Sequence, residues 1–276
     1  MSGAFACSVH THSTFCDGKN TMAEMAAAAC AAGVKQYGFS GHIHTPCPSD
    51  AEVCMAADMT AYRAEALRLR QEYTGRMEIL LGIEWDLCSD LPVPEWADYW
   101  IGSVHNLHDP ETGDYYCVDW KTEELARCRD TLCGGDAMEL ARRYYAAVAK
   151  VAAMKPTVLG HIDLITKLNG EGAFFDETSP AYRAAALAAL HAADPKATLL
   201  EINTGAVARG YRKTPYPAQF LLEEWHTMGG RVIITADAHT TEGITYGYRE
   251  AANLARRAGF TESVLLTLDE PVTCAL

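Results

Sequence analysis

Short apolar runs, too brief to be helices, recur along the chain between longer stretches of helical period, and this alternation restricts the fold more than any other feature. The runs are Phe5 to Val9, Tyr37 to Ser40, Ile79 to Ile83, Trp100 to Val104, Val158 to Gly160, Leu199 to Ile202 and Val232 to Ala236. Strands buried on both faces read as continuous apolar blocks, and parallel pairing needs a crossover of a dozen or more residues between them. The expectation is an α/β fold with seven parallel strands.

The intervening segments carry helix punctuation. Thr21 followed by Glu24 predicts a capping box for a helix stopped by Gly33, and Ser179-Pro180 predicts another helix start. Gly229-Gly230 ends a helix whose apolar stripe is Phe220, Leu221, Trp225 and Met228, and a second stripe runs Tyr144, Tyr145, Val148 and Val151. These stripes face the sheet and need no further role. Two connections are long, Ile43 to Ala57 and Asn106 to Gly135, and both follow strand ends where an α/β barrel places its site. They are expected to form the rim. No linker or charge block divides the chain, so residues 1–276 are expected to form a single domain.

Composition narrows the partners. A net charge of −13 without a Lys/Arg cluster argues against long nucleic acid, whose phosphates are gripped by clustered cations. No apolar run approaches the roughly 20 residues of a membrane span, and the start MSGAFACSVH has no signal-peptide pattern, so a cytoplasmic protein is expected. The ten cysteines form no CxxC pair and read as reduced thiols.

Each apolar run but the sixth is followed at once by metal-competent side chains: His10 and His12, then His42, Glu84, His105, His161 with Asp163, and Asp237 with His239. In parallel strands all of these reach one mouth. Residues two apart in a strand share a face, so His10-x-His12 and Asp237-x-His239 can each present both side chains to one cavity. Burying so many ionisable groups together is costly unless cations compensate them.

The full order His10-x-His12, Asp17, His42, Glu84, His105, His161, Asp237-x-His239 resembles the PHP (polymerase and histidinol phosphatase) family over nearly the whole chain. The resemblance implies a distorted (β/α)7 TIM-like barrel with up to three divalent metal ions, Zn, Mn or Fe by ligand type. It implies His10, His12, Glu84 and Asp237 on one metal, Glu84, His105 and His161 on a second, and Asp17, His42 and His239 on a third, with Glu84 as the bridge. Asp163 is expected behind the ligands, orienting an imidazole. Paired metals can hold a bridging hydroxide as nucleophile, making Glu84 and Asp237 part of the catalytic centre and letting a small phosphate ester enter an acidic protein.

The GHID, EINT and PYP segments make the chain most like the histidinol-phosphate phosphatase branch, which implies hydrolysis of L-histidinol phosphate and a place in histidine biosynthesis. Arg209, Arg212 and Lys167 are the expected phosphate contacts, and His44 of FSGHIH is the expected contact or general acid. That branch often has an arginine where this chain has Thr166. The alternatives are another small monoester or diester (phosphotyrosine, a sugar phosphate, a nucleotide), an amidohydrolase-like C–N hydrolase, or a non-catalytic metal-binding module. Oligomeric state is open at this level.

Overall fold

The computed structural model describes residues 3–276; Met1 and Ser2, which the expected domain includes, lie outside the described residues. Seven strands pair in parallel in chain order: β1 (Cys7–Ser8), β2 (Gln36–Phe39), β3 (Glu78–Asp86), β4 (Tyr99–Ser103), β7 (Val158–Leu159), β8 (Leu199–Asn203) and β9 (Arg231–Thr235). The first and last are joined beyond their ends by a parallel bridge between Thr11 and Ala238, with His12 N donating to Ala238 O at 2.9 Å. The sheet is thus a nearly closed barrel. Every expected run falls on a strand; β1 is shortened because Gly3–Ala6 coils into a 3-10 turn.

Helices α1 (Met22–Ala31), α2 (Thr60–Glu72), α4 (Ala137–Ala153), α5 (Pro180–His191), α7 (Gln219–Thr227) and α8 (Tyr248–Arg257) pack outside the barrel, with short α3 (Thr122–Arg127) and α6 (Gly205–Ala208) near its rim. Their ends follow local chemistry. The Thr21 hydroxyl accepts from Glu24 N while the Glu24 carboxylate accepts from Thr21 N, and Ser179 Oγ caps α5 ahead of Pro180. The segment from Asn106 to Gly135 is built rather than looped: β5 (Asn106–His108) and β6 (Tyr115–Cys117) form a hairpin, and α3 runs into a π turn at Cys128–Leu132. A second hairpin, β10 (Glu262–Leu265) with β11 (Val272–Ala275), adds Val264, Leu265 and Leu266 to the apolar interior.

Alternation along the strands separates two apolar layers. Ile79, Leu81 and Ile83 pack towards the helices, whereas Leu80, Tyr99, Ile101, Leu199 and Ile233 fill the barrel. Tyr99 is the plug. Its hydroxyl donates to Val9 O at 2.5 Å and lies 3.1 Å from Phe39 O, and its ring lies where any side chain at Gly82 would stand. Above this floor the inward positions become polar: Glu84, Ser103, Glu201 and Thr235, all buried. Among the described residues no helix is long and apolar enough to cross a membrane.

The absence of a side chain at Gly82 is therefore a packing requirement. Gly82→Ala is expected to lower stability by about 1–3 kcal/mol through overpacking against Tyr99. Urea unfolding measures this, and an unchanged midpoint would mean that the plug is loose.

Candidate metal centre

Glu84 closes the polar layer at the centre of the barrel mouth, 1% exposed. Its Oε1 lies 2.8 Å from His161 Nε2 and 3.3 Å from His105 Nε2 and accepts from Ser103 Oγ at 2.7 Å. Its Oε2 lies 3.1 Å from His10 Nε2, 3.1 Å from His42 Nδ1 and 3.5 Å from His12 Nε2. One carboxylate thus meets imidazoles that follow β1, β2, β4 and β7.

Asp237 takes the second corner. Its Oδ1 stands 3.2 Å from His12 Nε2, 3.5 Å from His239 Nδ1 and 3.7 Å from His10 Nε2. The residue has φ +48°, a left-handed conformation uncommon outside glycine but tolerated by Asp better than by most residues, and a Cβ at Gly205 would come within 2.8 Å of its side chain. Asp17 forms the third corner, with Oδ2 3.0 Å from His239 Nε2 and Oδ1 3.5 Å from His12 Nδ1 and 3.7 Å from His42 Nε2.

The nine side chains expected as ligands all face this one volume. Their donor atoms group as His12, Asp17, His42 and His239; His10, His12 and Asp237; His10, Glu84 and His161; and His42, Glu84 and His105, each set within 4.8 Å of one another. Glu84 belongs to two of the groups. His105 and His161, expected together, divide between them, and His12 joins the Asp17 group.

The chemistry of the donor set fits cations. Buried His12 Nε2, Asp17 Oδ1 and His161 Nδ1 lack hydrogen-bond partners. Burial lowers the His12 pKa to about 3, assisted by the charges of His239 and His42. Burial would also lower His10, but Glu201, Glu84 and Asp237 override it and hold the imidazole well above its usual range. Burial would raise Glu84, yet His10, His42 and His105 pull it well below the ordinary carboxylate range. Divalent cations held there would balance the buried carboxylates.

Two residues behind the ligands carry as much of the geometry. Glu201, fully buried on β8, lies 2.5 Å from His10 Nδ1, and its other oxygen accepts from His161 N at 2.7 Å and Asn203 Nδ2 at 3.1 Å. A carboxylate on Nδ1 favours the proton on that nitrogen, so that Nε2 would be available to a cation held between Glu84 and Asp237. Asp86 does the same for His105, accepting from its backbone N at 2.6 Å and facing its Nδ1 at 3.3 Å. Sequence reasoning missed both. For Glu201 the available signal was a lone acid inside the apolar run LLEIN, which must be paired if it points inward.

Asp163 does not face an imidazole. Its Oδ2 accepts from Ala218 N at 2.8 Å, and burial raises its pKa to about 6 against the opposing charge of Arg212. His44 likewise turns away: its Nδ1 lies 2.8 Å from Asp90 Oδ1, and it does not line the cavity. Extended pairing continues through His10–His12 and Ala238, where the bridge closes the barrel, whereas the chain coils into a 3-10 turn after His161. Two-residue alternation holds only in the first case. His108 stacks on Tyr115 outside this cavity.

The cavity, about 230 Å³, is lined by both long connections, through Ile43, Asp50 and Cys54 on one side and Asp119 and Trp120 on the other. Arg209 spans Asp237 and His239, donating to Asp237 Oδ2 and O at 3.0 Å, and Lys167 donates to Asp119 at 2.8 Å. Both line the cavity. Arg212 does not; its guanidinium donates to the carbonyl and hydroxyl of Thr166.

Glu201→Gln keeps the shape of the side chain but removes the charge that fixes His10. The expected result is a folded protein whose metal affinity falls roughly 10–100-fold, read by metal content after graded chelation. Full retention of metal would assign Glu201 to packing alone.

Comparison with known proteins agrees with this geometry. A probable histidinol-phosphatase of Deinococcus radiodurans is 29% identical, the match covering 92% of this chain and 94% of that protein. The histidinol-phosphatase of Bacillus subtilis is 25% identical over 87% of this chain and 95% of its own. The crystal structure of histidinol phosphate phosphatase from Lactococcus lactis, complexed with Zn, L-histidinol and phosphate, superposes with a TM-score of 0.68 at 19% identity, covering 96% of this chain and 98% of that one. The PHP domain model matches residues 8–205, more than two thirds of the chain, and the protein belongs to the PHP domain family.

Proposed function

We propose that residues 1–276 form one catalytic unit that hydrolyses L-histidinol phosphate to L-histidinol and phosphate in the cytoplasm. The observation that carries the reading is the convergence of nine imidazole and carboxylate side chains on one cavity, in a chain whose relatives over nearly its full length are named histidinol-phosphatases. His10, His12, Asp17, His42, Glu84, His105, His161, Asp237 and His239 would hold up to three divalent ions, Zn, Mn or Fe, with Glu84 shared between neighbouring groups. Bound there, the ions would activate water and neutralise the charge of the phosphoryl group.

The chain's own residues supply the rest. Arg209 presents a guanidinium beside Asp237 and His239, so one face of the fork meets the ligand shell and the other meets the cavity. Lys167 adds an ammonium on the adjoining wall. Together they form a clamp for phosphate oxygens. Arg212 is a brace in this reading, because its contacts to Thr166 tie the turn bearing Arg209 to the turn bearing Lys167. His44, paired with Asp90, is given no acid role in this reading.

Phosphate release from metal-loaded protein, measured across L-histidinol phosphate, phosphotyrosine, a sugar phosphate and a diester, tests the proposal. Histidinol phosphate is expected to lead in kcat/KM, and chelation is expected to abolish turnover. Equal turnover of a generic aryl phosphate would remove the substrate assignment. Arg209→Ala is expected to lower kcat/KM by about 10–100-fold, the value of a charged hydrogen bond, and Arg212→Ala by less, with the loss in KM.

A further inference from the structure

The β5–β6 hairpin walls two cavities. Cys117, with Asp119 and Trp120 just beyond it, lines the metal-binding one. Asn106, Leu107, His108 and Tyr115 line a second, of about 570 Å³, whose opposite wall is α4. The two share no lining residue. Along α4, Arg143, Ala146, Ala147 and Lys150 stand at i, i+3, i+4 and i+7, which places them on one face, and the two methyl side chains leave a hollow that larger residues would fill. Leu87, Leu107 and Leu132 add apolar surface, and the rings of His108 and Tyr115, stacked with centroids 4.6 Å apart, add a flat one.

The charge of this second cavity has one sign. In a chain of net charge −13, no carboxylate is found among the described residues that line it. The acids that face Arg143 from outside, Glu139 and Asp109, are engaged: Glu139 accepts from Arg143 Nε and Arg142 Nε, each at 3.0 Å, and Asp109 accepts from Glu111 N at 2.9 Å in its own turn. The Glu139 bond uses Arg143 Nε alone, and the Lys150 ammonium has neither an ion pair nor a hydrogen bond among the described residues. Two cationic groups therefore retain donors for an occupant. The cavity also touches the metal centre through its wall. Asn106 Nδ2 donates to Asp50 Oδ2 at 2.7 Å, Asp50 lines the metal-binding cavity, and the preceding residue is His105, whose carbonyl accepts from Val118 N at 2.9 Å across the hairpin.

We infer that this second cavity binds a small organic anion with a flat apolar body, and that its occupant braces the metal centre through Asn106 and His105. A carboxylate or sulfonate group meets Arg143 and Lys150, while the ring lies against the His108–Tyr115 stack and the leucines, where dispersion adds to the charged hydrogen bonds. A cation of the same shape meets two like charges, and an anion without a ring leaves the apolar surface unused. An occupant pressed on the hairpin limits the freedom of the segment that presents His105, so the metal is held more tightly. Binding here is independent of the substrate assigned to the metal centre.

Ligand-observed nuclear magnetic resonance on the metal-loaded protein tests this with benzenesulfonate, benzylamine and methanesulfonate, a sulfonate being a weak ligand for divalent metals. Benzenesulfonate is expected to bind about tenfold more tightly than either of the others. Arg143→Gln combined with Lys150→Gln should weaken it about tenfold, and Ala146→Trp, which fills the hollow, should abolish binding, both variants keeping their metal content within about twofold of wild type. Graded chelation reads the second part: saturating benzenesulfonate is expected to raise metal retention by the wild type about fivefold and to leave both variants unchanged. Equal binding of benzylamine, or benzenesulfonate binding that survives both sets of changes, would overturn the site. A rise in metal retention that persists in the variants would put the probe on the metals themselves and overturn the inference, whereas unchanged retention in the saturated wild type would overturn the link through Asn106 and His105.

Discussion

A single desolvated carboxylate organises this molecule. Glu84 sits on an apolar floor formed by Tyr99, Leu80 and Ile101, where an isolated charge would be strongly unfavourable, and five imidazoles lie within 3.5 Å of it. The polar layer of Glu84, Ser103, Glu201 and Thr235 extends the same problem across the barrel. Neutral histidines supply hydrogen bonds but no net charge. The carboxylates must therefore be balanced by protons on those rings or by cations, and the strand geometry that brings the rings together is what makes cations the better solution.

The strand-end ligands were legible because a barrel of parallel strands turns a one-dimensional pattern into a location: a polar residue after each apolar run is a residue at the mouth. The reading weakened wherever it assumed more than that. Asp163, expected behind an imidazole, lies where the chain coils into a 3-10 turn after His161, and His44 is paired with Asp90 instead of lining the cavity. Glu201 escaped notice for the opposite reason. It lies within a strand rather than after it, where an apolar residue fits the pattern better, and only the three-dimensional neighbours His10, His161 and Thr235 reveal why an acid is there.

The second long connection, expected on the rim, carries regular structure of its own. The connection from Asn106 to Gly135 carries a hairpin, a helix and a π turn, and its ordered structure holds Asp119 and Trp120 at fixed places on the rim. The same principle explains how a chain of net charge −13 can attract phosphate. In the proposed reading, binding would depend on the local field: cations at the floor together with Arg209 and Lys167 would dominate over surface acids that water and salt screen.

Thr166 shows how the proposed clamp would be held. A threonine at this position leaves space that Arg212 occupies from another element, donating to both the carbonyl and the hydroxyl of Thr166. One turn further in, Asp163 accepts from Ala218 N. These contacts staple the segment after β7, which bears Lys167, to the segment after β8, which bears Arg209. A larger cationic residue at 166 would have to displace Arg212, whose guanidinium ties the two segments together and does not line the cavity.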